Sequence, residues 1–259
     1  MKNFLISIIF PAVFVILLNG CSKESATTEP PPPAKTGDFF PMADGFYFIY
    51  NVTGVDTLGN NYLGIRKTIF SDSTTIGGTV YFNQYDSLTV EGNTTANLSF
   101  VRETDAGVYY FLDTTGLFVS LPDTGITIEF DPELIVLSLP LTEGRFWDVF
   151  KMIVDYPPFG IFNFAVVDVS ASYEKMEGLT LNLSTGQVDV SAVKVKFSFI
   201  FNNFLTQSIY TAYAWFVEDI GIVKWEGNTT VVNALSGAGI DFADTSGTVT
   251  QTLLDYKTE

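Results

Sequence analysis

The segment VKVKFSFIF, residues 193–201, alternates apolar and polar side chains over most of its length. A period of two puts its valine and phenylalanine side chains on one face of a β-strand, toward a core. Val188 and Val190 precede this segment on the opposite parity. Because a strand cannot change parity without an extra residue, we expect a β-bulge or a break near Ser191-Ala192.

The same alternation recurs at 126–130, 167–173 and 179–183, and turn residues such as Gly77-Gly78 and Gly92-Asn93 separate the apolar runs. We count about ten to twelve strands. Hairpin-linked antiparallel strands follow, since no crossover helices are available. The sequence therefore predicts a single all-β antiparallel domain.

That domain would span residues 38–259, because no later segment has the composition of a linker. Few helices are expected. A short one could lie within 234–246, although Gly237 and Gly239 disfavour it. Gly227-Asn228 is interpreted as a further turn that punctuates the apolar runs.

Composition excludes several classes of function. The chain has no histidine and a single cysteine, so a Ser-His-Asp triad, a Cys-His pair, His-ligated metal and a Cys-built zinc or iron–sulfur site are all excluded. The net charge of −16 would repel phosphate backbones, so we expect no nucleic-acid partner. We expect no cofactor and no catalytic activity.

The N-terminus has the plan of a secretory signal peptide over residues 1–20. Lys2 supplies the positive start, and Phe4 to Leu18 is an apolar run too short to span a bilayer. The junction Leu18-Asn19-Gly20-Cys21 resembles the lipobox of bacterial lipoproteins. The resemblance implies that Cys21 carries lipid and that the mature chain begins there. Cys21 is the one site residue that the sequence predicts.

Residues 21–37 then read as a lipidated cysteine and a tether. Four consecutive prolines, Pro30 to Pro33, favour an extended and semi-rigid polyproline spacer. Ser22 follows the cysteine, which in Gram-negative lipoproteins implies the outer membrane, on its periplasmic face or at the cell surface. The expected partner of the N-terminus is thus the membrane, reached through several acyl chains.

Three segments of the domain resemble a group of uncharacterised Bacteroidota lipoproteins. They are Phe39 to Tyr50, Leu139 to Trp147 and Trp215 to Lys224. The resemblance implies a fold like that of the lipoprotein carriers, which is a strongly curved antiparallel sheet or unclosed barrel around an apolar cavity.

Several acidic side chains are candidates for a functional site. The carboxylates of Glu129, Asp131 and Glu133, or of Glu218 and Asp219, could in principle serve glycoside hydrolysis, but a solvated rim is the expected role. Asp56–Asn61 is the best calcium loop, yet it lacks the ligand spacing of an EF-hand.

Aromatic side chains offer two further candidates. Trp147 and Trp225 could stack on sugars, but core packing is expected for both. The phenylalanines Phe197, Phe199, Phe201 and Phe204 could line a lipid cavity, or simply form the core that any β domain needs.

The function that follows is non-catalytic. The leading hypothesis is an outer-membrane lipoprotein that binds or carries an apolar ligand, such as lipid, in a cavity of the β-sheet. The alternative is an envelope lipoprotein with a structural or protein-interaction role and no ligand cavity.

Overall fold

The computed structural model describes residues 37–112, 125–202, 205–237 and 247–258. Several predictions concern residues outside this part of the chain: the signal peptide, the lipidated Cys21, the tether over 22–36, Phe204 and Gly239. They remain predictions. The described elements, in chain order, are β1 (Tyr47–Val55), β2 (Asn61–Ile76), β3 (Thr79–Val90), β4 (Asn93–Thr104), β5 (Gly107–Phe111), β6 (Thr127–Phe130), β7 (Glu133–Ser138), β8 (Phe146–Tyr156), a 3-10 helix (Pro157–Phe159), β9 (Ile161–Leu183), β10 (Gly186–Asn202), β11 (Gln207–Val217), β12 (Gly221–Asn228), α1 (Thr229–Leu235) and β13 (Thr248–Lys257).

All thirteen strands belong to one antiparallel sheet with the order β6-β8-β9-β10-β11-β12-β13-β1-β2-β3-β4-β5-β7. The sheet is not closed, since β6 and β7 form its two edges. Only Asp131 and Pro132 separate these two strands in the chain, so the edges lie close together. Trp147 of β8 also donates its indole N–H to the carbonyl of Ile135 in β7 at 3.0 Å. The predicted all-β antiparallel class is confirmed, as an open sheet that curls back on itself.

The inner side of the sheet carries the apolar core. Val193, Val195, Phe197 and Phe199 of β10 are all buried, as the alternation in 193–201 predicts. In the neighbouring β9 the inward side chains of 167–173 are buried in the same way. The alternation of 126–130 is also present, with exposed Thr127 and Glu129 between half-buried neighbours. These strands show one covered and one open face.

The expected irregularity near Ser191-Ala192 is misplaced. β10 pairs with β9 without a shift there, and the extra residue is Glu174 of β9, opposite Lys194 and Val195. Ala192 and Val193 are both fully buried although they point to opposite faces. The parity change arises because both faces of β10 are covered at this point, which needs no extra residue in the strand.

The tip of the β9–β10 hairpin is folded back. The Ser184 N–H at the tip donates to the carbonyl of Leu254 in β13 at 2.7 Å, so the hairpin reaches across to a strand that is not its neighbour in the sheet. Past the bulge at Glu174, Leu179, Leu181 and Leu183 lie on the outward side of β9, and Leu181 is nonetheless buried. Outward leucines are therefore part of the fold in this region.

The helix α1 begins earlier than the sequence suggested. Asn228 caps it by accepting a hydrogen bond from the Val231 N–H at 3.2 Å, which satisfies a free donor of the first turn. Gly227-Asn228 is therefore a strand end and a helix cap, and the prediction of a turn there is wrong. Gly227 has a φ of 144°, and a Cβ there would lie 2.5 Å from the backbone of Ala212, so only glycine fits. In contrast, Gly77-Gly78 forms the predicted two-residue turn, between β2 and β3.

Candidate functional site

A buried ion pair lies on the inner side of β2 and β3. Arg66 and Asp86 are about 5% and 4% exposed, and the Arg66 Nε donates to Asp86 Oδ1 at 2.9 Å. Thr68 donates to the same carboxylate oxygen at 2.6 Å. Burial alone would lower the pKa of Arg66, but the adjacent Asp86 carboxylate overrides it, and the pKa is raised. The pair is thus almost completely enclosed.

Distant parts of the chain complete this polar network. The remaining guanidinium donors of Arg66 bind Gln251 Oε1 at 2.9 Å and the carbonyl of Ser236, just after α1, at 2.7 Å. Gln84 also donates to that carbonyl, at 2.8 Å, and accepts from the Tyr110 hydroxyl at 2.6 Å. Burial raises the pKa of Tyr110 well above its usual range. Because the donors and acceptors serve one another, the network offers no free polar group to a ligand.

The interior cavity beside this network is small. It encloses about 30 Å³ of space that a water-sized molecule could enter. Phe48, Tyr50, Phe70 and Trp225 fill the surrounding volume. A cavity of this size holds one or two water molecules. A second cavity, of about 100 Å³, borders Arg66, Asp86 and Gln251. Both volumes are below the roughly 300 Å³ at which ligand pockets start.

A larger opening, the end groove, lies where the chain enters the domain. It has a volume of about 710 Å³. Its lining combines apolar side chains with carboxylates: Met42, Phe82, Leu139, Pro140, Asp38, Glu103 and Asp105. Partial burial, followed by the charge of Asp38, raises the pKa of Glu103 to about 7. The groove is large enough for a ligand with an apolar part.

The outer side of β1–β4 forms what we call the neutral face. It consists of the odd-numbered positions from 47 to 53, from 63 to 69 and from 85 to 89, and the even-numbered positions from 94 to 98. Lys67 is its one charged side chain, and none of these positions is Asp or Glu. Leu63, Ile65, Tyr85 and Leu98 are exposed on it. Since the chain has 29 acidic residues, a carboxylate-free face of this size is unusual for its own surface.

The outer side of β9–β12, which we call the charged face, carries lysines and carboxylates around Trp215. Trp215 lies between two lysines, with the Lys194 Nζ 5.0 Å and the Lys224 Nζ 4.4 Å from the ring centre. The Trp215 indole N–H donates to Glu177 at 3.1 Å, and Lys224 pairs with Glu226. Lysine stems and carboxylates cover the indole, which is only 3% exposed.

The carboxylate candidates Glu129, Asp131 and Glu133 lie around the short link between β6 and β7. Glu129 lies in β6 and Glu133 in β7, at opposite edges of the sheet, with Asp131 between them in an exposed bend. Glu133 forms a double hydrogen bond with Arg102, at 2.6 Å for each oxygen, and accepts from Tyr81. The Arg102 hydrogen bonds lower the pKa of Glu133. Its carboxylate is engaged in the fold.

The second carboxylate candidate lies in a turn that holds the entering chain. Glu218 and Asp219 belong to the turn between β11 and β12. The Asp219 N–H donates to the carbonyl of Asp38 at 2.6 Å, which fastens the entering chain to this turn.

In the loop Asp56–Asn61, which was the calcium candidate, the Asp56 carboxylate accepts hydrogen bonds from the loop itself. In the turn between β1 and β2, Asp56 Oδ1 accepts from the Leu58 N–H at 2.9 Å and from the Asn60 N–H at 2.8 Å. The hydrogen bonds from Asn60 are the largest cause of the lowered pKa of Asp56. Within the described part of the chain, no group of three or more acidic or cysteine side chains is placed to hold a metal ion.

The aromatic candidates pack in the core, as expected. Trp225 is 1% exposed and its ring centre lies 5.9 Å from that of Phe197. Trp147 is buried and its N–H is satisfied by Ile135. Phe199 is buried and Phe201 is half-buried. None of these rings is open to a sugar.

Sequence reasoning missed the neutral face and the Arg66–Asp86 network. The outward positions of β2 contain no acidic residue, and this pattern could have indicated the neutral face. It can be recognised only when the pairing register of β1–β4 is known. Among the described residues, the one α-helix has seven residues and is too short to cross a membrane.

Comparisons with known proteins add the following. No protein-family model matches the chain, and no curated protein matches it. A Bacteroides fragilis structure, described as an exported protein with a YmcC-like fold, matches at 15% identity and a TM-score of 0.46, over 85% of this chain and 99% of that one. A Parabacteroides distasonis structure, described as a lipoprotein, matches at 15% identity and a TM-score of 0.42, over 87% and 100%. Both likenesses are too distant to carry function.

Proposed function

We propose that this chain is a non-catalytic lipoprotein of the bacterial outer membrane, held by lipid on Cys21, whose β domain binds through its surface. The observation that carries the proposal is the filled interior. The two cavities beside the Arg66–Asp86 network have volumes of about 30 Å³ and about 100 Å³, both below the size of a ligand pocket, and the polar groups of the network are already paired. A domain with this interior has its outer surface left for recognition.

The absence of histidine and the pairing of two buried or half-buried carboxylates support a non-catalytic role. The chain has no histidine, Asp86 is bound by Arg66, and Glu133 is bound by Arg102. General acid–base catalysis needs a proton-transfer group within reach of a substrate. These two carboxylates are instead used to hold strands together.

A second candidate function is the binding of an apolar ligand in the end groove. The volume of about 710 Å³ and the apolar walls at Met42, Phe82 and Leu139 favour it. In this form of the leading sequence hypothesis, the ligand would bind in the end groove rather than in the interior of the sheet.

The anchor is tested first. We expect Cys21→Ala to move the protein from the membrane fraction to the soluble fraction. We also expect the wild-type chain purified from membranes to have an intact mass that includes acyl groups. An unacylated wild-type chain in the soluble fraction would contradict the proposal.

The two candidate functions are separated by native mass spectrometry of the Cys21→Ser chain with lipid extraction. Surface binding predicts a clean protein mass and no uptake of added fatty acid or phospholipid. A stoichiometric lipid that is lost in a Met42→Asp variant would instead establish the end groove as a ligand site. Ile209→Asp, which adds the same charge on the outer side of β11, is the control.

A further inference from the structure

We propose that the neutral face docks on the surface of the lipid bilayer that holds the anchor, so that the domain lies on its side against the membrane. The inference rests on the proposed lipid anchor at Cys21. It goes beyond that anchor by assigning a second, non-covalent membrane contact to four strands of the folded domain.

Charge is the first reason. The chain carries −16 overall, and a bilayer with anionic lipid repels most of its surface. The neutral face carries no carboxylate, and Lys67 lies in its middle row, between Ile49 of β1 and Ser87 of β3. This face brings no carboxylate of its own to the lipid headgroups, and the nearest register partner with a carboxylate is Asp255 of β13, beside Ile49.

The arrangement of apolar side chains is the second reason. Tyr47, Ile69, Tyr85 and Leu98 are register partners and form one row across β1–β4. Leu63 and Ile65 extend the apolar surface along β2, and Leu63 is 72% exposed. Aliphatic side chains with tyrosine at the border suit the zone between headgroups and acyl chains.

The position of the chain entry is the third reason. The carbonyl of Asp38 accepts a hydrogen bond from Asp219 in the turn between β11 and β12. Thr258, just after β13, donates its hydroxyl to the carbonyl of Asp219 in the same turn. β1 starts at this end, so the Tyr47 row lies on the side from which the tether departs. The seventeen residues from Cys21 to Gly37 span roughly 50 Å when extended, which is ample for the face to reach the bilayer.

Area disfavours a second copy of the chain as the occupant. One residue on a sheet face covers about 33 Å², given the spacing of strands and residues. The fourteen positions of the neutral face therefore cover roughly 450 Å², against the roughly 800 Å² per partner of a stable interface. A membrane contact needs no such minimum, because the anchor already holds the domain beside the bilayer.

Labelling of lysine amines tests the contact in the full lipidated chain. The protein is placed in vesicles of phosphatidylethanolamine and phosphatidylcholine and treated with a membrane-impermeant acylating reagent. The rate at Lys67 is divided by the rate at Lys175, which is 59% exposed on the charged face. The reference is the unlipidated Cys21→Ser chain without vesicles. We expect this ratio to fall about tenfold in vesicles, as it would for a docked fraction of about 90%.

Matched variants locate the contact. Leu63→Asp should restore the labelling ratio to that of the free chain, because it places a carboxylate in the neutral face. Ile209 is 60% exposed in the wild-type chain. Ile209→Asp should leave Lys67 protected, because Ile209 lies outside the neutral face. An equal ratio with and without vesicles in a chain that remains anchored would overturn the inference and leave the anchor intact.

Two further outcomes are informative. A wild-type chain that does not enter vesicles at all would overturn the proposed anchor itself. Protection of Lys67 that grows with protein concentration, in the Cys21→Ser chain without vesicles, would identify a second copy as the occupant and overturn the membrane contact.

Discussion

The neutral face and the charged face are two outer surfaces of one sheet, and they treat apolar side chains differently. On the charged face, Trp215 is almost completely covered by Lys194 and Lys224. On the neutral face, Tyr85 is 46% exposed. The difference indicates that Trp215 stabilises the fold through its burial, whereas Tyr85 remains available to a partner.

The largest loss of stability is expected on the inner side of the sheet, which both outer faces share. Asp86→Ala leaves the buried guanidinium of Arg66 without its carboxylate, which should lower the free energy of unfolding by about 3–5 kcal/mol. Urea denaturation measures this loss. Asp168→Ala, which removes the carboxylate of a partly exposed ion pair with Lys151, should cost at most about 1 kcal/mol. Similar losses in the two variants would contradict the structural role of the network.

Removal of one aromatic side chain from each outer face tests the comparison directly. Trp215→Ala should lower the free energy of unfolding by about 3 kcal/mol, because the indole is buried under lysine stems. Tyr85→Ala should change it by less than about 0.5 kcal/mol. Chemical denaturation of the two variants under the same conditions is the measurement. A large loss in Tyr85→Ala would show that the neutral face belongs to the core of the fold.

The smallest effect concerns the Arg102–Glu133 pair, which lies beside the neutral face. The folded-state pKa of Glu133 is lowered from its ordinary value of 4.5, so the pair stabilises the protein above that pH. The contribution is lost as the pH falls below 4.5 and through the folded-state pKa. Since both side chains are partly exposed, we expect about 1 kcal/mol.

Unfolding free energies measured from about pH 6 to about pH 3 check this prediction. The wild type should lose more stability over this range than Glu133→Gln, which lacks the titrating group. Parallel pH profiles for the two proteins would contradict it.

Much of the fold could be predicted because its signals are local. The inward stripe of 193–201 and the glycine turn at 77–78 depend on alternation and on glycine at positive φ, both of which are written in short segments. The core roles of Trp147 and Trp225 follow from their place at the ends of apolar runs. The absence of histidine limits the chemistry without any structure.

β2 shows why the rest could not be predicted. Its sequence places Leu63, Ile65 and Ile69 on one side and Arg66 and Thr68 on the other. Periodicity alone would direct the aliphatic side chains to the core, yet the structure buries Arg66 and exposes Leu63. The reversal depends on partners far away in the chain, because Gln251 and Ser236 satisfy the guanidinium.

The sequence by itself therefore determined the antiparallel β class, the position of strands such as β9 and β10, the lack of histidine chemistry and the expectation of a lipid anchor at Cys21. The tertiary structure alone decided which faces are covered. It decided the small size of the interior cavities, the burial of the Arg66–Asp86 pair and the exposure of a face without carboxylates. The physical reason is that alternation defines two sides of a strand, whereas burial depends on which distant groups pack against each side.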